Sequence, residues 1–406
     1  MTAIEPSGVE RIRVRRVARL REQLLDEGVP LPLDAPQSQV LLEELDYASH
    51  PPVHEDRAPR YGSLVSFGAR PHWSALSVPT RLESAGTDLD VLRKLADGRA
   101  SFVVRTADGT EALVCFDRSL EYEASAVRLC SETGAFVVQR TRDGLVRACG
   151  PDGVITWDTV QWSFKPLAEH HAAPILRLAS QIDPEVLSGL LELSVHWLGA
   201  GRVGATLVLS LIDDPRALAH LELASAIEIS PLHVTRHEHF PALLSVLGQM
   251  DRAALVAPDG SISTLGAGLE WSERASVLIR PTKGTRHTSA RRFSFDEPSA
   301  VVIVVSEDGP TTVYSDGAAA TVVRTDACRV AGAGAAAFTG PGIPDPAGEA
   351  EVVCPVCAKR LLVDEVRFDG WAGGPDEQRC PVCDTVVLID AYRAAIRGVR
   401  KVLPEA

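Results

Sequence analysis

The feature that most constrains this 406-residue chain is an unbroken apolar run, Ala300–Val305, with the sequence AVVIVV. Successive side chains of a strand point to opposite faces, so a strand without a polar position needs cover on both sides. That requirement points to a layered α/β domain. The run ends at Ser306-Glu307-Asp308-Gly309, which places polar groups at the carboxyl end of the strand, where ligand sites gather in open α/β sheets. Just upstream, Gly284-Thr285-Arg286-His287 makes a glycine turn that leads into a segment of helical character, residues 289–295. Glycine lets the backbone approach closely, a helix N-terminus offers unpaired N–H groups, and Arg286 has a fork that grips two oxygens. The combination suits a phosphate chain, and a glutamate after a buried strand suits a divalent cation.

The order of motifs carries the argument further. Asp251-Arg252-Ala253, Gly284-Thr285-Arg286-His287-Thr288 and Val305-Ser306-Glu307-Asp308 follow one another, preceded by Gly204-Ala205-Thr206-Leu207-Val208-Leu209. The segment Leu265-Gly266-Ala267-Gly268-Leu269 falls between the first two motifs. Together they resemble the diadenylate cyclase domain family, whose hallmarks are D-G-A, G-T-R-H-R and a strand ending in V-S-E-E, opened by G-A-L-I-V-L. The likeness covers roughly residues 172–320. It implies an α/β unit with a mixed central sheet, in which two facing domains each bring one ATP and join them into cyclic di-AMP, releasing pyrophosphate. A catalytic Mg²⁺ or Mn²⁺ is part of that expectation. Carried onto this chain, Asp251 would position or deprotonate the 3′-hydroxyl and contact the ion, with Glu307 as the second metal ligand. Gly284, Thr285, Arg286 and His287 would hold the phosphate tail, Ser306 would complete that site, and Gly266 and Leu269 would lie near the adenosine.

Two positions depart from the family pattern. Arg252 stands where a glycine is usual, and Thr288 replaces an arginine that would contact phosphate; Arg291 and Arg292, one turn on, are candidates to compensate. The departures leave three readings open: an active cyclase, a degenerate member that binds ATP or a cyclic dinucleotide as a sensor, and a scaffold that works through its C-terminal module.

Elsewhere the chain divides by pattern. Residues 1–60 read as an N-terminal helix over 10–27, stopped by Gly28, and a proline-rich connector that packs loosely around a short helix at 39–47. The helix is arginine-rich, and docking on the body or on another subunit is preferred to a membrane or nucleic-acid arm. Residues 61–170 read as a small α+β, strand-rich domain, with hairpin signals at Asp108-Gly109, Asp143-Gly144 and Asp152-Gly153 and a helix at 89–95. The resemblance implies a sensor here; a structural or dimerising role is the alternative. Residues 171–325 hold the cyclase-like domain, helical over 175–198 and closed by a last strand at 311–315. Residues 326–350, built of Ala, Gly and Pro, read as a linker.

The C-terminal residues 351–406 carry Cys354-Pro355-Val356-Cys357 and Cys380-Pro381-Val382-Cys383. Each C-x2-C puts two thiolates on one knuckle, so the two pairs predict a closed, structural tetrahedral Zn²⁺ site in a zinc ribbon, followed by a helix over 391–402. Such a ribbon is a candidate grip for nucleic acid or protein.

A formal charge of −13 argues against a surface that coats nucleic acid generally. No apolar run reaches the length of a membrane span, no signal-peptide core opens the chain, and eight cysteines in this length suit a reducing cytoplasm rather than a disulfide scaffold. His233, His237 and His239 have metal-like spacing but no evident fourth ligand, and read as ordinary histidines; Asp213-Asp214-Pro215 reads as a turn.

Overall fold

The structure, a computed structural model, describes residues 8–29, 35–53, 59–66, 80–83, 88–106, 111–279, 281, 284–307, 311–323, 350–353, 360–363, 376–379, 386–390 and 395–400. The four cysteines expected to hold zinc, Cys354, Cys357, Cys380 and Cys383, lie outside the described residues, as does the linker up to its last residue.

The chain opens with α1 (Gly8–Asp26) and α2 (Ala35–Ser49), then β1 (Tyr61–Ser66), β2 (Thr80–Glu83), α3 (Leu89–Leu95), β3 (Ser101–Thr106), β4 (Glu111–Phe116) and α4 (Glu123–Thr133). It continues with β5 (Ala135–Arg140), β6 (Val146–Cys149), β7 (Gly153–Trp157) and β8 (Trp162–Pro166). These strands form one sheet in the order β2-β4-β3-β1-β5-β6-β7-β8, in which β1 and β3 are parallel and every other pair is antiparallel. One face packs on α1 and α2 through Leu24, Leu41, Leu45, Val65, Val103 and Val138; the other packs on α4 through Leu129, Val114 and Val137.

This corrects the expectation of a loosely packed connector. Leu41, Leu42 and Leu45 are fully enclosed, because the prolines flank α2 and leave its apolar stripe at helical spacing intact. Glu44, also fully enclosed, obscured that stripe. It is held by Arg93 at 2.6 Å, Arg105 at 2.7 Å and the hydroxyl of Tyr61. Burial alone would raise its pKa, but the two arginines outweigh that and hold it below the ordinary carboxylate value.

A 3₁₀ turn, Ala168–His171, leads to α5 (Ala172–Leu178), α6 (Pro184–Glu192) and a π-helical turn, Leu193–Gly199. Next come β9 (Ala205–Ser210), β10 (Leu221–Glu222), β11 (Ile227–His233), α7 (Phe240–Leu247), β12 (Ala253–Val256), β13 (Ser261–Leu269) and α8 (Glu273–Leu278). The domain ends with α9 (Thr285–Asp296), β14 (Ala300–Val305), β15 (Thr311–Ser315) and β16 (Ala318–Val323). The sheet order is β10-β13-β12-β9-β14-β15-β16, with β11 also paired to β13. Only β9 and β12 run parallel, so the sheet is mixed as expected. β14 is buried along its whole length. Val301, Ile303 and Val305 face the layer of α6, the π-helical turn and α7, while Ala300, Val302 and Val304 face α9. β15 is not the last strand. The chain reverses at Asp316 and Gly317, both with positive φ, and β16 pairs back onto it.

Toward the C-terminus, β17 (Ala350–Val353) pairs antiparallel with β18 (Arg360–Val363), and β20 (Val386–Asp390) lies between β19 (Asp376–Arg379) and β21 (Ala395–Arg400). Within the range 391–402, expected as a helix, residues Ala395–Arg400 form a strand instead. Ile396 and Val399 favour the extended chain and Gly398 disfavours a helix interior.

Candidate nucleotide site

The predicted motifs converge where the carboxyl end of β14 meets the amino ends of β9 and β12. Residues Val305 and Ala205 are register partners, as are Thr206 and Ala253, so Gly204, Asp251 and Ser306 arrive at one sheet edge. Helix α9 starts at Thr285 itself, so the Gly-Thr-Arg-His motif forms its first turn rather than a loop ahead of it. Gly284 caps that turn with φ 91, a backbone conformation that favours glycine. Among the described residues none lies within 4 Å of where its Cβ would be, and the positive φ itself favours glycine here.

Arg286 is the centre of the site. Its Nη2 lies 3.5 Å from Asp251 Oδ1 and its Nη1 3.5 Å from Glu307 Oε1, so one guanidinium joins the two carboxylates expected to hold a cation. A Cβ on Gly204 would stand 2.0 Å from Nη1 and 3.0 Å from Glu307 Cγ. The glycine that opens β9 is therefore the space in which the arginine lies. Asp251 is 94% exposed and Glu307 62% exposed. Beside them, the His287 ring is bracketed by Ser306 Oγ at 2.8 Å from Nε2 and Tyr314 Oη at 3.0 Å from Nδ1. Burial lowers the His287 pKa, which favours the neutral ring. Thr285 is exposed at the first position of α9. Among the described residues no group of three or more His, Cys, Asp or Glu is gathered to hold a metal. The available donors are two carboxylates, a hard-oxygen set that suits Mg²⁺ or Mn²⁺ completed by phosphate oxygens and water.

Gly266 (φ 78) and Leu269 lie on β13, with Leu269 paired to Leu221 of β10. Arg252 keeps the left-handed backbone of the glycine it replaces, φ 71, and its guanidinium is ion-paired with Glu222 of β10. Thr288 Oγ1 donates to Gly284 O at 3.0 Å and so ties down the motif's own first turn. Of the two candidates to compensate for the missing arginine, Arg291 donates from Nε to Gly317 O and Arg292 from Nε to Ile279 O. His233, His237 and His239 do not meet at one point: His239 Nδ1 accepts from the His233 N–H, whereas His237 pairs with Glu192. Asp214 caps the 3₁₀ turn Pro215–Ala217, as its turn reading requires.

Sequence reading missed the seam between the two sheets. Glu123 of α4 is buried and takes Lys165 Nζ at 2.6 Å and His196 Nδ1 at 2.8 Å. His196 Nε2 accepts from Ala168 N–H at 3.2 Å, so Nδ1 carries the proton given to Glu123, and Lys165 also donates to Val195 O. Tyr122 stacks on Trp197 with ring centroids 4.5 Å apart. Clefts of about 410 and 530 Å³ border this seam, both reached by Arg128, Glu192 and His237. The π-helical turn that carries Val195 to Trp197 shares a core with Val301, Ile303 and Val305 of β14, the strand that ends at Ser306.

Residues 18–165 match the family described as "Probable sensor domain DACNK", and residues 192–319 match the family described as "DisA bacterial checkpoint controller nucleotide-binding". No curated protein matches the chain. The first match begins inside α1 and ends in β8, which assigns α1 and α2 to the sensor along with its sheet; the second runs from the end of α6 into β16 and contains every residue of the crevice. A nucleotide-binding domain of the DisA kind and, ahead of it, a probable DACNK sensor domain together support a diadenylate cyclase family member.

Proposed function

We propose that this protein is a diadenylate cyclase that condenses two ATP into cyclic di-AMP with release of pyrophosphate, under the control of its N-terminal domain. The observation that supports it is the bridge from Asp251 through Arg286 to Glu307, with the His287–Ser306 pair beside it. A triphosphate offers Arg286 a bidentate partner of higher charge than either carboxylate, and the N–H groups at the start of α9 add to that hold. Asp251 is then free to orient a 3′-hydroxyl and take its proton. The 3′-oxygen forms the new bond to the α-phosphorus of the second nucleotide, and the bond from that phosphorus to the bridging oxygen of pyrophosphate breaks. Each chain carries one such crevice, so a second copy must face it to close the ring. Asp251 and Glu307 would hold Mg²⁺ or Mn²⁺ with the phosphates, and the ion supplies charge neutralisation.

Control by the N-terminal domain is supported by the seam, where Glu123 and Lys165 of one domain grip the π-helical turn that packs on β14. The zinc reading is supported by strand pairing: each C-x2-C falls in sequence between two antiparallel partners, β17 with β18 and β19 with β20. The ribbon's occupant, nucleic acid or protein, is open to pull-down with each class.

The test is incubation of the purified protein with ATP and Mn²⁺ or Mg²⁺, with products resolved by mass. Cyclic di-AMP is expected, and is expected to vanish in Asp251→Asn and Arg286→Ala. Tight ATP binding without product under either metal would replace this reading with that of a degenerate nucleotide sensor.

A further inference from the structure

His287 sits between two hydroxyls, and the direction of each hydrogen bond follows from counting protons. The half-buried ring is neutral and carries one proton, so one nitrogen must accept. Tyr314, on β15, is 5% exposed and meets the imidazole edge-on, with centroids 6.0 Å apart. Among the described residues, His287 is the one hydrogen-bond partner its hydroxyl has. If Tyr314 Oη accepted from Nδ1–H, its own proton would have no acceptor among the described residues, which is costly for a residue only 5% exposed. Oη therefore donates to Nδ1. Nε2–H then donates to Ser306 Oγ, and the Ser306 proton is left without a partner among the described residues, in a half-buried position beside the exposed Glu307.

We propose that Tyr314 is a positioning residue of this site: it fixes His287 as the Nε2–H tautomer and so presents the Ser306 hydroxyl as a donor to a phosphate oxygen of the bound nucleotide. In the opposite arrangement Ser306 would donate to Nε2 and meet the anion with lone pairs. A single buried hydroxyl thus separates a phosphate-binding serine from a phosphate-repelling one. The proposal rests on the reading of the crevice as a nucleotide site, and Tyr314 lies outside the motifs that led to it.

The experiment uses the full chain labelled with ¹⁵N-histidine, and two-bond ¹⁵N–¹H spectra of the unliganded protein report the tautomer. His287, identified by its loss in His287→Asn, is expected as Nε2–H; Tyr314→Phe is expected to mix both tautomers, and Ser306→Ala to keep Nε2–H. With a non-hydrolysable ATP analogue and Mg²⁺, Tyr314→Phe and Ser306→Ala should each weaken binding about tenfold, the scale of one charge-assisted hydrogen bond. The double variant should be no weaker than Ser306→Ala alone. An Nδ1–H pattern in a wild-type protein that binds nucleotide, or additive losses in the double variant, would overturn the proposal while leaving the site intact. An Nε2–H pattern with no nucleotide binding at all would instead overturn the site reading, and the donor role with it.

Discussion

Glu123→Gln at the domain seam gives the sharpest energetic test. Burial alone would raise the pKa of this carboxyl from 4.5, but the Lys165 ammonium and the hydrogen bond from His196 pull it down to about 2. A group whose pKa is lowered on folding stabilises the fold above its unfolded value, and the benefit is lost as pH falls through the folded value. From about 4.5 to about 2 the linkage amounts to about 3 kcal/mol at pH 7 and roughly half of that or less at pH 3. Glutamine keeps the shape but leaves the Lys165 charge buried without its partner, a loss of similar size. Hydrogen exchange read on peptides spanning 120–130 and 190–200 should therefore quicken on the order of a hundredfold in Glu123→Gln at pH 7. The difference from wild type should shrink as the pH is lowered toward 3. Adding Lys165→Met should restore part of the protection, because no unpaired charge then remains. A change below about 0.5 kcal/mol at pH 7, the size of an exposed pair, would refute the claim that this cluster holds the two domains together.

Two further outcomes are expected. Arg252 has φ 71, a conformation that costs a non-glycine residue about 1 kcal/mol, and its pair with Glu222 is exposed and screened by solvent. Arg252→Gly should then shift stability by less than about 1 kcal/mol in thermal denaturation and retain cyclase activity. Product formed by the glycine variant alone would mark the wild-type site as degenerate. Elemental analysis should find zinc bound to the wild-type chain and lost in Cys380→Ser; equal zinc in both would remove the ribbon.

The strands and the crevice were legible in the sequence to different depths. AVVIVV could only be a strand covered on both faces, and it occupies Ala300–Val305 with helical layers on either side. Hairpins at Asp143-Gly144 and Asp152-Gly153, the helix at Leu89–Leu95 and the gathering of Asp251, Arg286, His287, Ser306 and Glu307 were equally readable, since turn chemistry and motif order are local or family-wide signals. Polar groups that become buried only through distant partners were not. Glu44 made α2 look half-solvated until Arg93 and Arg105 closed on it, and Glu123 carried no sign of Lys165 and His196. Arg291 and Arg292 are candidates for phosphate by spacing, and the packing of α9 turns the Nε of each to a backbone carbonyl, which spacing does not show. Tyr314 was one residue of an ordinary strand until β15 brought it against His287. Periodicity and turn residues act over a few positions and can be read along the chain. A buried charge, a tautomer or a domain seam depends on which groups meet across the fold, and only the tertiary structure decides that.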